Sequence, residues 1–402
     1  MNIQKKTFGQ KVYPWLLVTL PILVQYPVGP LDMDVVVMLA FFVGCLLFRR
    51  KLLVTPLGKY MLGIIGYIVV TVVINLAVGE KFSPSSAIVL RAGRYCLYLF
   101  IVFFQGSLSV NYKSLMGAYR VVAYAATIYV ILQTVAFYGA GITLPNKLGG
   151  SSIDAEGEVG RLRSFYSEPS VMGYSLVPFI ACSLLGEKYK ANGRGGALDA
   201  MFVSIGIILS TSGQGILATA VVWACWLLIR IKNRQFQVKE LVLLLAAVAA
   251  AVILYKTGIL EFALDRAGNT DEGGAIDARM SGYVTLGMLS PIQLLFGTGF
   301  GNYVVENLFA LDVFYEFVNY SSIAEFLFTL GIVGTALWVV FFGILFRRGT
   351  ACVRVLILAM VVLGTTGCPM TGIFFPLWVS LMCVQLPEGM FRPVLPGQPQ
   401  NP

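Results

Sequence analysis

Arginine pairs and a lone carboxylate at the edges of apolar runs are the residues of this chain best equipped for chemistry. In Arg161-Leu-Arg-Ser-Phe-Tyr-Ser-Glu168-Pro-Ser, two cations and an acid stand against the start of an apolar stretch. A charge in a bilayer core costs several kcal/mol unless it is paired or hydrated. Charge placed here therefore suits a polar substrate better than it suits holding the fold. Guanidinium forks grip phosphate oxygens bidentately and stay charged at any depth. A carboxylate at the same spot can accept a proton from a reacting hydroxyl. Arg163 and Glu168 lead the candidates, ahead of Arg161, and the plainer alternative is an Arg–Glu pair that tethers a loop.

Three further constellations carry possible chemistry. Arg91-Ala-Gly-Arg94 opens an apolar run, and its two cations share one helix face at i, i+3, where Gly93 lets a ligand or backbone come close. Ser210-Thr-Ser-Gly-Gln214 forms a short polar turn whose hydroxyls and amides could line a sugar or phosphate site, although a tight turn alone would explain it. Arg279, in Asp277-Ala-Arg279, could close over a bound anion or be a solvated loop charge.

The elements that must position these residues are membrane spans. The chain is 57% hydrophobic and 12% charged, with a mean hydropathy of +0.80. Soluble domains carry about 25% charged residues, so an all-α, polytopic membrane protein is expected. No cleavable signal is expected, because the first apolar run, from Tyr13, lacks a small-residue cleavage site and is followed by further spans. With about 20 apolar residues per crossing, spans are expected near 12–29, 34–48, 58–78, 87–105, 115–139, 169–186, 198–210, 213–231, 240–257, 322–346, 351–366 and 370–386. That makes about 12 transmembrane helices in one domain, 1–386, followed by a proline-rich tail, 387–402, expected to be disordered.

Charge sets the orientation. With both termini inside, 20 of the 29 Lys and Arg residues fall on the cytoplasmic side, as the positive-inside rule requires. In a soluble protein the net charge of +9 would suggest nucleic acid; here it reflects that rule, and no nucleic-acid partner is expected. The outer loops are then 140–168 and 258–321, the second long enough to be functional in its own right. Arg91, Arg94, Arg161, Arg163, Glu168 and Arg279 all fall on the outer face. The chain has no His, and its seven Cys are scattered without CxxC spacing, so they read as small apolar residues. With no DxD, Walker-type loop or metal-ligand cluster, a site without metal or cofactor is favoured, with arginines supplying the charge stabilisation.

On these motifs the layout resembles the O-antigen polymerase and ligase superfamily, and more closely its Wzy-type polymerases. Four elements match in order over roughly 85–345: Arg91-Ala-Gly-Arg94, the Arg163–Pro169 segment, Leu209-Ser-Thr-Ser-Gly, and the late outer loop. That loop contains Arg279 and Gly297-Thr-Gly-Phe-Gly-Asn302 and runs into Glu325-Phe-Leu-Phe-Thr-Leu-Gly-Ile-Val-Gly334. The resemblance implies a membrane glycosyltransferase, GT-C-like in fold, that needs no metal and uses an undecaprenyl-pyrophosphate-linked oligosaccharide. Arg91, Arg94, Arg161, Arg163 and Arg279 would bind the pyrophosphate, Glu168 would activate or position the acceptor hydroxyl, and Ser212, Gln214 and Tyr320 would touch the glycan. Membrane lipid, a chain-length regulator and a flippase are the implied partners, and the outer face of a bacterial inner membrane is the implied location.

One departure matters. Ligases that pass glycan to lipid A core carry a His where the late loop re-enters the membrane, and here the stretch reads Asn319-Tyr320-Ser-Ser. The polymerase is therefore favoured over the ligase. A lipid-linked-oligosaccharide flippase, the other rival, would place charges around a midplane cavity rather than gather them on one face.

Overall fold

Proline and short polar residues set where the helices begin. Thr55 caps α3 (Pro56–Val78) and Asn111 caps α5 (Tyr112–Ala140), each side chain accepting from a backbone N–H three residues on. Gly141 ends α5 in the left-handed conformation at φ 64°, with Ile142 N bonded to Ala136 O at 3.0 Å. The computed structural model describes residues 8–29, 31–48, 54–79, 81–108, 110–146, 162–186, 196–234, 256, 281–303, 320–365, 367–387 and 390. Among them the chain is all-α apart from a two-stranded hairpin, Pro27–Val28 with Leu31–Asp32.

The remaining helices are α1 (Phe8–Leu23), α2 (Met33–Phe48), α4 (Ser85–Leu108), α6 (Pro169–Leu185), α7 (Gly196–Leu209), α8 (Gly213–Lys232), α9 (Pro291–Phe296), α10 (Ser322–Arg348), α11 (Ala351–Gly364) and α12 (Phe375–Cys383). Eleven of the twelve expected spans overlap a helix, although 370–386 holds only the nine residues Phe375–Cys383 in one; the twelfth, 240–257, lies outside the described residues except for Lys256. So do Arg161, Arg279, most of the loop 258–321, residues 147–161 of the loop 140–168, and nearly all of the tail. Five helices (α3, α4, α5, α8 and α10) are long and apolar enough to cross a membrane. Outward-facing Val69, Val70, Val73, Ile74 and Val78 on α3 form an exposed apolar stripe that water would penalise and lipid would not. This fits a multi-pass membrane protein. Among the described residues the other helices are shorter than a full crossing requires, so helix length there supports five crossings.

Two helices that build the site are broken, and both breaks are satisfied by donors from distant parts of the chain. Pro178 inside α6 cannot donate to Tyr174 O, and the Trp378 indole N–H donates to that carbonyl at 2.9 Å. The Tyr119 hydroxyl sits in the same gap, donating to Ser175 O and accepting from Phe179 N. In α10, Gly331 stands at φ 66°, ψ −173°, outside helical space. The carbonyls beside this break take outside donors: Thr298 N to Phe328 O at 3.1 Å, Gly299 N to Thr329 O at 2.9 Å, and Tyr67 OH to Leu330 O at 2.9 Å. Non-helical backbone within an apolar bundle survives only with such partners.

An aromatic cluster joins the broken α10 to its neighbours. Tyr95 of α4 stacks on Phe300 at 4.3 Å and 13°, and Phe326, Trp338 and Phe375 close around it. The α6–α8 contact is tight because it is glycine on glycine: a Cβ at Gly173 would lie 2.8 Å from Gly215 Cα.

Candidate functional site

A cavity of about 620 Å³ opens where α4, α6, α8, α10 and the segment before α12 converge. From α4 it takes Arg91, Arg94, Tyr95 and Tyr98, a single stripe at i, i+3, i+4 and i+7. From the start of α6 it takes Glu168, Ser170, Val171 and Tyr174. Gln214, at the start of α8, accepts a bond from the Tyr174 hydroxyl. Phe300, Tyr303, Tyr320 and Glu325 close one side, and Cys368, Thr371 and Phe374 another. Of the sequence candidates, Arg91, Arg94, Glu168, Gln214 and Tyr320 are thus brought together.

Arg91 is held without being neutralised. Its Nη1 donates to Ser83 Oγ at 3.1 Å and to Gly301 O at 3.0 Å, and its guanidinium lies 4.4 Å from the Tyr303 ring centroid. It makes no salt bridge among the described residues. The Gly297–Tyr303 loop supplies the last two of these contacts because its glycines at 297, 299 and 301 take φ of 85°, 87° and 84°. Asn302 locks the loop by accepting from Phe82 N at 2.8 Å and Ser83 N at 3.3 Å.

Arg94 faces the same cavity, but its fork is committed. Nη2 lies 2.8 Å from Asp32 Oδ2 and 2.6 Å from Asp34 Oδ1, with Nε 3.3 Å from Asp34 Oδ2. Asp34 is fully buried. The pairing fastens α4 to the hairpin and to the start of α2, so Arg94 has less charge to offer a ligand than Arg91.

Arg163 lies outside the cavity wall. Its Nη1 donates to Ser167 O at 2.6 Å, and with the Asn146 amide oriented to accept, Nε and Nη2 reach its oxygen at 2.5 and 2.9 Å. Gln133 grips the backbone of Ser164 on both sides, accepting from N at 2.8 Å and donating to O at 3.3 Å, while Gln25 donates to Phe165 O at 2.7 Å. The segment thus presents Glu168 from a pinned loop. Glu168 itself is exposed, takes the N-cap position of α6 without a side-chain cap bond, and accepts from Ser170 Oγ at 2.9 Å. Ser212 is a helix cap: its hydroxyl accepts from Gly215 N at 3.2 Å and it does not line the cavity.

Several cavity residues were not singled out by sequence. Tyr95 and Tyr98 continue the Arg91 stripe, so helical spacing from that arginine was the available signal for them; Tyr174, six residues from Glu168, is off that spacing and carried none. Glu325 is an acid one turn into an apolar helix, and the expense of such a charge was its own signal. Cys368 lies close enough to Glu325 and Glu168 to feel both. Its burial first, and then those two carboxylates, push its thiol up to about 12, so it stays protonated and is a poor nucleophile at neutral pH. Among the described residues no group of three or more Cys, Asp or Glu is placed to hold a metal ion.

The arrangement offers one guanidinium for an anion, two carboxyl groups for proton handling or hydroxyl binding, and aromatic walls on which sugar rings can pack. No known family model matches this chain, and no curated protein matches it significantly.

Proposed function

We propose that the chain is a membrane polysaccharide polymerase. It would transfer a growing glycan from a polyprenyl pyrophosphate, undecaprenyl pyrophosphate in bacteria, to a hydroxyl of an incoming lipid-linked repeat unit. The observation that carries this reading is an arginine with no carboxylate partner among the described residues, Arg91, sharing one aromatic-walled cavity with Glu168 and Glu325. Pyrophosphate is the leaving group of the reaction, and a charged donor fixed beforehand stabilises the charge that develops on it. Arg91 takes this role most directly, Arg279 and Arg161 could join it, and Glu168 on the rim activates or positions the acceptor hydroxyl. The reading includes twelve crossings, both termini in the cytoplasm and the cavity on the outer face, supported by the 20 of 29 basic residues that this orientation puts inside. At such a site nucleotide sugars are absent, which suits a donor activated by its own lipid pyrophosphate.

Arg91→Ala should slow transfer by roughly 10- to 150-fold, matching the loss of one charge-assisted contact of about 1.5–3 kcal/mol. Arg91→Lys should not restore the rate, because a point charge lacks the fork. Purified protein incubated with lipid-linked repeats and resolved on a glycan gel is the measurement. Polymer made at the parental rate by a folded Arg91→Ala protein would remove the pyrophosphate assignment.

A further inference from the structure

Three acidic side chains are buried among the described residues: Asp34, Asp199 and Glu325. Arg94 and Arg120 hold the first two in salt bridges. Glu325 makes no salt bridge among the described residues, and it faces the cavity. A buried carboxylate without an ion pair is among the costlier features a fold can keep. Its polar neighbours are Thr371 and Arg91, and Tyr95, Tyr303 and Cys368 also lie within reach of its charge. Glu168, by contrast, is exposed at the rim. The two carboxyl groups of one cavity therefore stand in different surroundings, the arrangement in which two acids can divide two roles.

We infer that Glu325 is the proton acceptor of the transfer proposed above, an inference that rests on that reading. The acceptor sugar's O–H bond breaks and its proton passes to the Glu325 carboxylate. The hydroxyl oxygen forms the new bond to the donor's anomeric carbon. The bond from that carbon to the phosphate oxygen breaks, and its electron pair leaves on the pyrophosphate beside Arg91. Glu325 then returns the proton to water through the open cavity. Glu168 is left to orient the acceptor at the rim. The competing account is that Glu325 serves only the start of α10, where the first-turn amides favour an acidic side chain.

The test is steady-state transfer by the purified full chain, with lipid-linked repeats as donor and acceptor. Glu325→Gln should lower kcat by about 10²- to 10⁴-fold while donor binding persists, and Glu168→Gln should act mainly through KM for the acceptor. Should Glu325→Gln fail to fold, Glu325→Asp decides: as base it should lose kcat yet keep the fall in rate toward acid pH. A Glu325→Gln kcat within a few-fold of the parent, or an Asp variant with unchanged kcat, would leave only the helix-end role and overturn the inference. A parent that does not turn over lipid-linked repeats would instead overturn the polymerase reading, and this inference with it.

Discussion

Gly331→Ala protein should lose the packing of the Gly297–Tyr303 loop against α10 and, with it, the transfer activity proposed above. At φ 66° the position is unfavourable for any residue with a Cβ, and that Cβ would stand 2.5 Å from both Gly297 N and Leu295 O. Strain of about 1–3 kcal/mol adds to overpacking of about 1–3 kcal/mol, and both contacts are backbone, which cannot swing aside. The loop cannot move alone. Gly297 to Tyr303 carries the Gly301 carbonyl and the Tyr303 ring that hold Arg91. Thermal unfolding in detergent, read beside Gly343→Ala on the same helix, checks this, since a Cβ at Gly343 meets nothing within 4 Å. Equal unfolding midpoints for the two variants would mean that the break in α10 is not the rigid feature described.

Arg94→Ala should cost about 3–5 kcal/mol of stability, because it leaves Asp34 buried with no cation. Asp32 is 37% exposed and gains little from the pairing, so the penalty falls on Asp34. Replacing both partners, Arg94→Leu with Asp34→Leu, should recover most of the loss, since apolar substitutes of similar volume commonly do as well as a buried pair. If Arg94→Ala instead unfolds at the parental midpoint but no longer binds lipid-linked donor, Arg94 is a ligand residue and the strut reading is sunk.

The start of α6 was legible because Glu168-Pro169 writes it locally; Thr55-Pro56 and Ser290-Pro291 carry the same signal at α3 and α9, where the span reading began at 58 or expected only a loop. The shared face of Arg91 and Arg94 was legible from spacing alone. What separates them was not. Asp32 and Asp34 reach Arg94 from 62 and 60 residues upstream, a distance no local pattern encodes. Arg163 shows the same limit in reverse, its guanidinium being taken by a carbonyl four residues away and by Asn146. The break at Gly331 was hidden inside an unremarkable apolar run, since it depends on the glycine loop thirty residues earlier. Tyr95, Tyr98 and Tyr174 look like ordinary core aromatics until assembly turns them toward the cavity.

That break also says something about how the chain is put together during synthesis. Among the described residues, the donors from outside α10 that meet the carbonyls of Phe328, Thr329 and Leu330 all come from earlier in the chain: Tyr67, Thr298 and Gly299. A ribosome therefore delivers the partners before it delivers the interrupted helix, and α10 can bend at Gly331 as soon as it arrives. Were the order reversed, those carbonyls would wait unsatisfied in an apolar setting, the condition under which a straight helix or a misplaced one wins. Circularly permuted chains that place α3 or the Gly297 loop after α10 should accordingly insert less efficiently than the natural order.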